Sequence, residues 1–377
     1  MTEKRPCDIN KTSLTGRATP TGVEQGPECR FINSGKILAG NAAAIAAAVE
    51  KWSLQKTDVV RMVNGSDAGF LPQRTTIGRE VSVTGPGTFS GKAKRLLTFK
   101  PSTRPGWWIK RTDQKEQLPI EVCPGNVWTA ARNIVLRSGS QHNYLRMVEH
   151  IIALHTGLGI DDLLIETDSG DPPLFDRSSL DLVEALESAG VVPSPLNEEA
   201  PYITVREPVT IGGDRGDFVT LLPAENGCRK LTMDVAIDWK SVIGRQRILF
   251  DVTRDNFIYG AGARTNATQA QMTLAKTVGL FFADTRNLGY TKENILIHGK
   301  RRYVNAPRPQ FDVDGVNYEA VWHRATLDLL AAIALLPGGR FVGKAVSYRA
   351  GHTLDARLMT LLQLNDLLVR IPGQPNR

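Results

Sequence analysis

The feature that most constrains the fold of this chain is a repeated order of elements on either side of Pro193-Ser194-Pro195. From Gln73, strand-like segments Glu80-Val81-Ser82-Val83-Thr84 and Arg95-Leu96-Leu97-Thr98-Phe99 are joined through Gly85-Pro86-Gly87 and Gly91, as hairpins are. Two helices, 144–156 and 179–189, then flank a strand at 163–166. The second is amphipathic through Leu180, Leu182, Val183 and Leu186 and stops at Gly190. Beyond the hinge, strands at 202–206, 218–222 and 230–237 lead to a helical stretch at 267–280, a strand at 293–298 and a helix at 317–335. A last pairing of Phe341-Val342 through Tyr348 runs into a helix from His352 to Leu368. Matching runs of strands and helices predict an α+β protein of two similar domains, 73–192 and 193–377, with a site between them.

Residues 1–72 form an N-terminal extension: 1–35, rich in Thr, Gly, Pro and charge, read as a flexible arm, and Asn41 caps an alanine-rich helix over 42–52. The 377 residues are 41% hydrophobic and 23% charged, the balance of a globular chain, with a net charge of +7. Its Lys and Arg residues are scattered and the longest cluster is Lys300-Arg301-Arg302, which favours a solvated basic surface or an anionic small substrate over nucleic acid. No run of about 18 apolar residues occurs, so no transmembrane segment is predicted, and no signal-peptide pattern opens the chain. Cys7, Cys29, Cys123 and Cys228 stand alone, with neither CxxC pairs nor a disulfide framework, which fits a reducing cytoplasm.

The six histidines differ in their neighbours. Glu149 precedes His150, Asp328 follows His323 on one predicted helix, and His352 stands where a strand gives way to a helix; His142, His155 and His298 lack acidic neighbours and read as structural. Two histidines and a carboxylate can hold a catalytic zinc that keeps one position open for water. A further carboxylate can take that water's proton, and another imidazole can protonate a leaving amine. On spacing alone a His-Asp pair on a helix is more often a surface pair than a ligand pair, so the metal reading does not stand on spacing.

Several segments together carry a resemblance: Val148-Glu149-His150, Gly157-Leu158-Gly159-Ile160-Asp161-Asp162, Pro173-Leu174-Phe175-Asp176 and Ala185-Leu186-Glu187-Ser188-Ala189-Gly190. Upstream and downstream lie Gln73-Arg74-Thr75, Gly85-Pro86-Gly87-Thr88-Phe89-Ser90-Gly91, Ala263-Arg264-Thr265 and Tyr348-Arg349-Ala350-Gly351-His352-Thr353-Leu354. Over about 73–370 the chain resembles the UDP-3-O-acyl-N-acetylglucosamine deacetylases, zinc amidases of lipid A biosynthesis. The resemblance implies two domains, each a small mixed sheet packed on two helices, with the helices sandwiched between the sheets. It implies Glu149 as general base, His150, His323 and Asp328 as ligands of Zn2+, Thr265 as an oxyanion contact, and His352 as general acid or electrostatic stabiliser. Arg324, where the family has Lys, would face a substrate phosphate as a planar fork rather than a point charge. The implied partner is a UDP-linked acylated amino sugar, met in the cytoplasm or peripherally at the inner membrane surface.

The chain departs from that pattern at informative places. Asp328 lies five residues after His323 rather than four. At about 100° per residue, five apart means about 140° around a regular helix, which separates the two side chains. A single π-bulge would absorb the extra residue, so a helix irregularity is predicted at 323–328. The family's next acidic position falls at Ala332, leaving His352 without that carboxylate; Asn266-Ala267-Thr268 and Phe89 also differ, on substrate contacts more than on the metal. Three functional readings follow: the named deacetylase, a non-catalytic homologue binding a UDP-sugar or lipid, and a zinc deacetylase of another N-acetylated sugar.

Overall fold

The computed structural model describes residues 35–57, 70–115, 118–196, 198–225, 228–281 and 287–371, so the arm read over 1–35 lies almost wholly outside the described residues. The described chain begins with strand β1 (Lys36–Ala39) and helix α1 (Ala42–Ser53). A first mixed sheet is built from β2 (Val81–Pro86), β3 (Lys94–Pro101), β4 (Trp107–Arg111), β5 (Ile120–Glu121) and β6 (Leu163–Thr167), in the order β2-β3-β6-β4-β5, with only β6 and β4 parallel. Helix α2 (Glu149–Leu158) precedes β6 and α3 (Leu180–Ala189) follows it. A second mixed sheet takes β7 (Val209–Gly212), β8 (Phe218–Leu222), β9 (Leu231–Asp238), β10 (Arg245–Asp251) and the late strand β13 (Gly343–Tyr348), in the order β1-β7-β8-β13-β9-β10. Between β10 and β13 come α4 (Arg254–Ala261), β11 (Thr265–Thr268), α5 (Gln269–Lys276), β12 (Ile295–His298) and a long helix α6 over Glu319–Ile333. Helix α7 (His352–Leu364) follows β13.

The alternation of side chains explains how the layers stack. In the first sheet Leu97, Phe99, Ile109 and Ile165 are fully buried on the inner face. Their neighbours Lys100, Lys110 and Glu166 meet as ion pairs at 2.8 and 3.5 Å on the wet face. The second sheet is covered on both sides: Val219, Leu221, Val235 and Ala345 join the central core, while the alternate residues Phe218, Ala236, Val346 and Tyr348 pack under α1. Helix α1 supplies Ile45, Ala48, Val49 and Trp52 at helical spacing, and its cap is in place, with Asn41 accepting from the Ala44 N–H at 3.1 Å. The Arg247 guanidinium lies 3.8 Å over the Trp52 ring and bonds Asp234 at 2.7 and 2.9 Å. The extension thus completes the second sheet, with β1 parallel to β7 at its edge.

One hydrophobic core runs through the inner faces of both sheets and the helices between them. Close approaches within it depend on glycine: a Cβ on Gly157 would sit 2.2 Å from the Phe257 ring, so α2 and α4 meet there backbone to ring. Three sequence boundaries need correction. Tyr144–Arg146 is a strand paired with Val135–Arg137, and Met147, at φ 53°, turns the chain so that the helix read from 144 starts at Glu149. The helical stretch read from 267 is a strand through Thr268, parallel to β12, and α5 starts at Gln269 with a Thr268/Gln271 capping box. The final helix stops at Leu364, and Leu368–Ile371 returns as a strand against Tyr202–Val205.

Candidate metal centre

The N-terminus of α2 delivers the first two residues of the site. Glu149 is 2% exposed and its Oε2 accepts the Ile134 N–H at 3.0 Å. The neighbouring His150 is anchored through its carbonyl, which accepts from Ser179 Oγ at 3.0 Å. Its Nε2 faces Nε2 of His323 at 3.3 Å, and Thr265 Oγ1, at the start of β11, lies 3.1 Å from the one and 3.0 Å from the other.

His323 ends the first segment of α6, and the helix is irregular directly after it. Glu319–His323 is α-helical, Arg324–Leu329 is a π-turn, and Leu330–Ile333 resumes the α form. The wide turn takes up the extra residue, as the five-residue spacing requires. Asp328 Oδ1 lies 3.5 Å from His323 Nδ1 and 3.5 Å from His352 Nε2, and His352 Nε2 lies 3.8 Å from Glu149 Oε1. Packing supports the distortion: Thr326 Oγ1 donates back to the Trp322 carbonyl at 2.7 Å, and Trp322 is fully buried between Phe250 and Tyr259, with ring centroids 4.6 and 4.9 Å away. A Cβ on Gly260 of α4 would stand 2.4 Å from Thr326 Cγ2, so this glycine makes room for the turn.

Burial sets the charges. It pushes the Glu149 carboxyl up to about 7, with His352 pulling the other way. It lowers His150 to about 3, helped by the neighbouring His323, and lowers His323 as well, so both facing imidazoles are neutral and can offer lone pairs. For His352 burial also disfavours the charged ring, but Asp328, Glu149 and Asp355 outweigh it and the pKa is raised. Burial opposes the charge of Asp328 too, yet His352 and His323 hold its carboxyl below the usual range.

Among the described residues no group of three His, Cys, Asp or Glu is already drawn to metal-ligand spacing. The donor set nonetheless fits an ion. Two Zn–N bonds of about 2.0–2.1 Å at the tetrahedral angle put their nitrogens about 3.3 Å apart. That is the observed His150–His323 separation of 3.3 Å. Asp328 Oδ1 is buried without a hydrogen-bond partner, 3.5 Å from a ring nitrogen of His323 and of His352.

Arg324 is placed differently from the sequence expectation. It does not face a solvent-borne phosphate: its guanidinium, 5% exposed, turns inward, with Nη2 donating to Asp355 Oδ1 at 2.6 Å and to Ser347 Oγ at 3.2 Å. Leading into the π-turn, Arg324 aims at α7 and β13 instead of the cleft. Asp355 was missed in the sequence because an acid in a helix's first turn reads as a complement to the helix dipole; the His352-x-x-Asp355 spacing was the available signal. Ala332 is fully buried. The expectation of a structural role suits His155, buried edge-on against Trp107. His298, also buried, stacks on Trp239 at 5.9 Å and borders an open cavity of about 770 Å³ at the far end of β11 from Thr265, lined in part by Lys240 and Lys300.

Two mixed sheets enclosing helices, with two neutral imidazoles, two carboxylates, a hydroxyl and a third imidazole converging between them, make the arrangement of a metal-assisted hydrolase. A family model described as UDP-3-O-acyl N-acetylglycosamine deacetylase matches residues 74–363. Relatives in Brucella ovis and Brucella melitensis biotype 2, both named UDP-3-O-acyl-N-acetylglucosamine deacetylase, are 30% identical over 293 residues, covering 76% of this chain and 94% of the relative. The chain belongs to this deacetylase family.

Proposed function

We propose that this protein hydrolyses the N-acetyl group of UDP-3-O-acyl-N-acetylglucosamine, releasing acetate and a free amine, in lipid A biosynthesis. The observation that carries the reading is the convergence of Glu149, His150, Thr265, His323, Asp328 and His352, from α2, β11, α6 and α7, at one buried point. His150, His323 and Asp328 would hold a zinc ion, which when bound supplies a water acidified to a pKa of about 7 and polarises the acetamide carbonyl. Glu149, whose carboxyl titrates at about 7, is suited to take the proton of the attacking water near neutral pH. His352, biased toward its charged form by three carboxylates, is suited to deliver a proton to the departing amine nitrogen. The Thr265 hydroxyl, within 3.1 Å of both metal-facing nitrogens, is placed to donate to the developing oxyanion. The Trp239–His298 stack with Lys240 and Lys300 offers an aromatic surface and two cations for a nucleoside diphosphate. The setting proposed is the cytoplasm, where the free thiols of Cys123 and Cys228 stay reduced; among the described residues no helix is long and apolar enough to cross a membrane.

The test is metal content and acetate release from the named substrate by purified protein, beside a Glu149→Gln variant. The expected result is stoichiometric zinc and a loss of about 10²–10⁴-fold in turnover in the variant. Undiminished turnover in the variant removes the base assignment. Binding of UDP-sugar by a wild-type protein without zinc or turnover replaces the whole reading with that of a non-catalytic homologue, and turnover confined to other N-acetylated sugars replaces the substrate.

A further inference from the structure

The Arg324–Asp355 contact is unusual for a buried ion pair. Both side chains are enclosed, 5% and 0% exposed, yet they meet through one nitrogen: Nη2 of Arg324 serves Asp355 Oδ1 and Ser347 Oγ together. Nε and Nη1 of Arg324 and Oδ2 of Asp355 are buried without hydrogen-bond partners. A pair retained for stability would satisfy these atoms bidentately, or would be replaced by apolar side chains of similar volume, which hold helices together as well or better. What an apolar pair cannot do is fix a direction. This contact joins the first residue of the π-turn to the first turn of α7. The residue before Arg324 is His323, Asp328 is the last but one residue of the turn, and His352 stands three positions before Asp355. A wide turn has neighbouring registers open to it, and a shift of one residue would swing Asp328 by about 100°.

We propose that Arg324 and Asp355 form a positioning pair that locks the π-turn in register against α7, so that His323 and Asp328 are aimed at the point where His352 arrives. The consequence for metal and catalysis rests on the metal-centre reading above; the lock itself does not. Ser347, on β13, shares the donor and ties the pair to the second sheet.

The experiment is the paired substitution Arg324→Met with Asp355→Leu in the full chain, which removes both charges at once. In metal-free protein, amide hydrogen exchange over residues 324–330 should quicken about tenfold or more while α2 keeps its protection. Zinc affinity should fall about 10–100-fold, and kcat by a similar factor with KM changed less than about twofold. Asp355→Glu with Arg324→Lys, which keeps the charges, should recover most of the protection and affinity. Should the apolar double variant not fold, Arg324→Gln with Asp355→Asn also removes both charges, with the shape largely kept, and gives the same exchange reading. A folded variant with exchange over 324–330 unchanged overturns the proposal. If wild-type protein neither binds zinc nor turns over, the functional reading falls, and the exchange measurement still decides the lock.

Discussion

Helices α2 and α6 bring ionisable residues to the same point by different means. In α2 the two site residues are adjacent at the start of a regular helix, so Glu149 and His150 point into the cleft by position alone, and Gly159 at φ 64° ends the helix after ten residues. In α6 the two are five apart, and a regular helix would turn one of them away. The π-turn at Arg324–Leu329 restores a common side, braced by Thr326, Gly260 and the Arg324–Asp355 contact. A site on a helix terminus depends on where the helix begins, whereas a site inside a helix depends on its pitch. The second contains one residue more than a regular helix could use.

Deleting one residue from each helix is the strongest way to break this comparison. Removing Ala153 from α2 rotates everything after it by about 100°. It also draws Leu158 into the place where Gly157 admits the Phe257 ring. The expected result is loss of the folded state, seen as a collapsed far-ultraviolet circular dichroism signal. Removing Ala325 converts the π-turn into a regular helix with His323 and Asp328 four apart, and is expected to leave a cooperative melt lowered by about 1–3 kcal/mol. If both deletions unfold the protein, or neither does, the π-turn is not a one-residue insertion and the comparison fails.

These two helices also show what the amino-acid sequence could and could not reveal. Taken with the family resemblance, the His323–Asp328 spacing pointed to irregular pitch, because a shared ligand role conflicted with a regular period. The α+β class followed from runs of alternating residues such as Val81–Thr84, while the layering was legible only through the family resemblance. Non-local pairings were hidden. The strand at Tyr144–Arg146 exists because Val135–Arg137 lies beside it, and β1 is ordered against β7, 173 residues later at Lys36↔Val209. The direction of Arg324 could not be read either, since the π-turn that redirects it is a response to tertiary packing. In β11 the Thr268-x-x-Gln271 capping pattern marked a helix start that the periodicity at 267–280 obscured.

Titration separates the two helices next, on metal-free protein. Glu149 has a folded pKa of about 7, raised above the unfolded value by burial. Its contribution to stability is therefore fully present below about pH 4.3 and is lost as pH rises through 7, a change of about 4 kcal/mol at about 1.4 kcal/mol per unit. Glu149→Gln removes that dependence, so the variant should melt higher than wild type at pH 8 and equal it near pH 4. Asp328 on the π-turn has a depressed pKa despite its burial, with His352 and His323 as the lowering partners, so its contribution is present above the unfolded value and lost as pH falls through the folded one. Asp328→Asn should consequently melt lower than wild type at pH 8, with the gap closing in acid. His150, lowered to about 3 by burial and the neighbouring His323, adds an acid-side loss that is common to wild type and Glu149→Gln, whereas Asp328→Asn also removes a charge that favours the protonated ring. Thermal melts at matched pH values check the opposite signs; equal signs would remove the distinction between the two carboxylates.

The smallest effect is the most selective. Gly157 and Gly260 both allow α4 to approach a site helix, and a Cβ would meet the Phe257 ring at 2.2 Å in the one case and Thr326 Cγ2 at 2.4 Å in the other. Alanine at either position overpacks the core and should cost about 1–3 kcal/mol in a melt. The displaced atoms differ, however. Gly157→Ala pushes on Phe257, two turns from His150 along a regular helix whose start is fixed by Glu149 and Ser179 contacts, so zinc affinity should stay within about twofold of wild type. Gly260→Ala pushes on Thr326 and on Trp322 Cε3, 2.8 Å from the added carbon, and both atoms belong to the distorted segment and its approach. Equal stability losses with a drop of about tenfold in zinc affinity for Gly260→Ala alone would place the sensitivity of the centre in the pitch of α6. Equal affinities in the two variants would mean that the π-turn absorbs strain without moving its ligands, and that α6 is as rigid a support as α2.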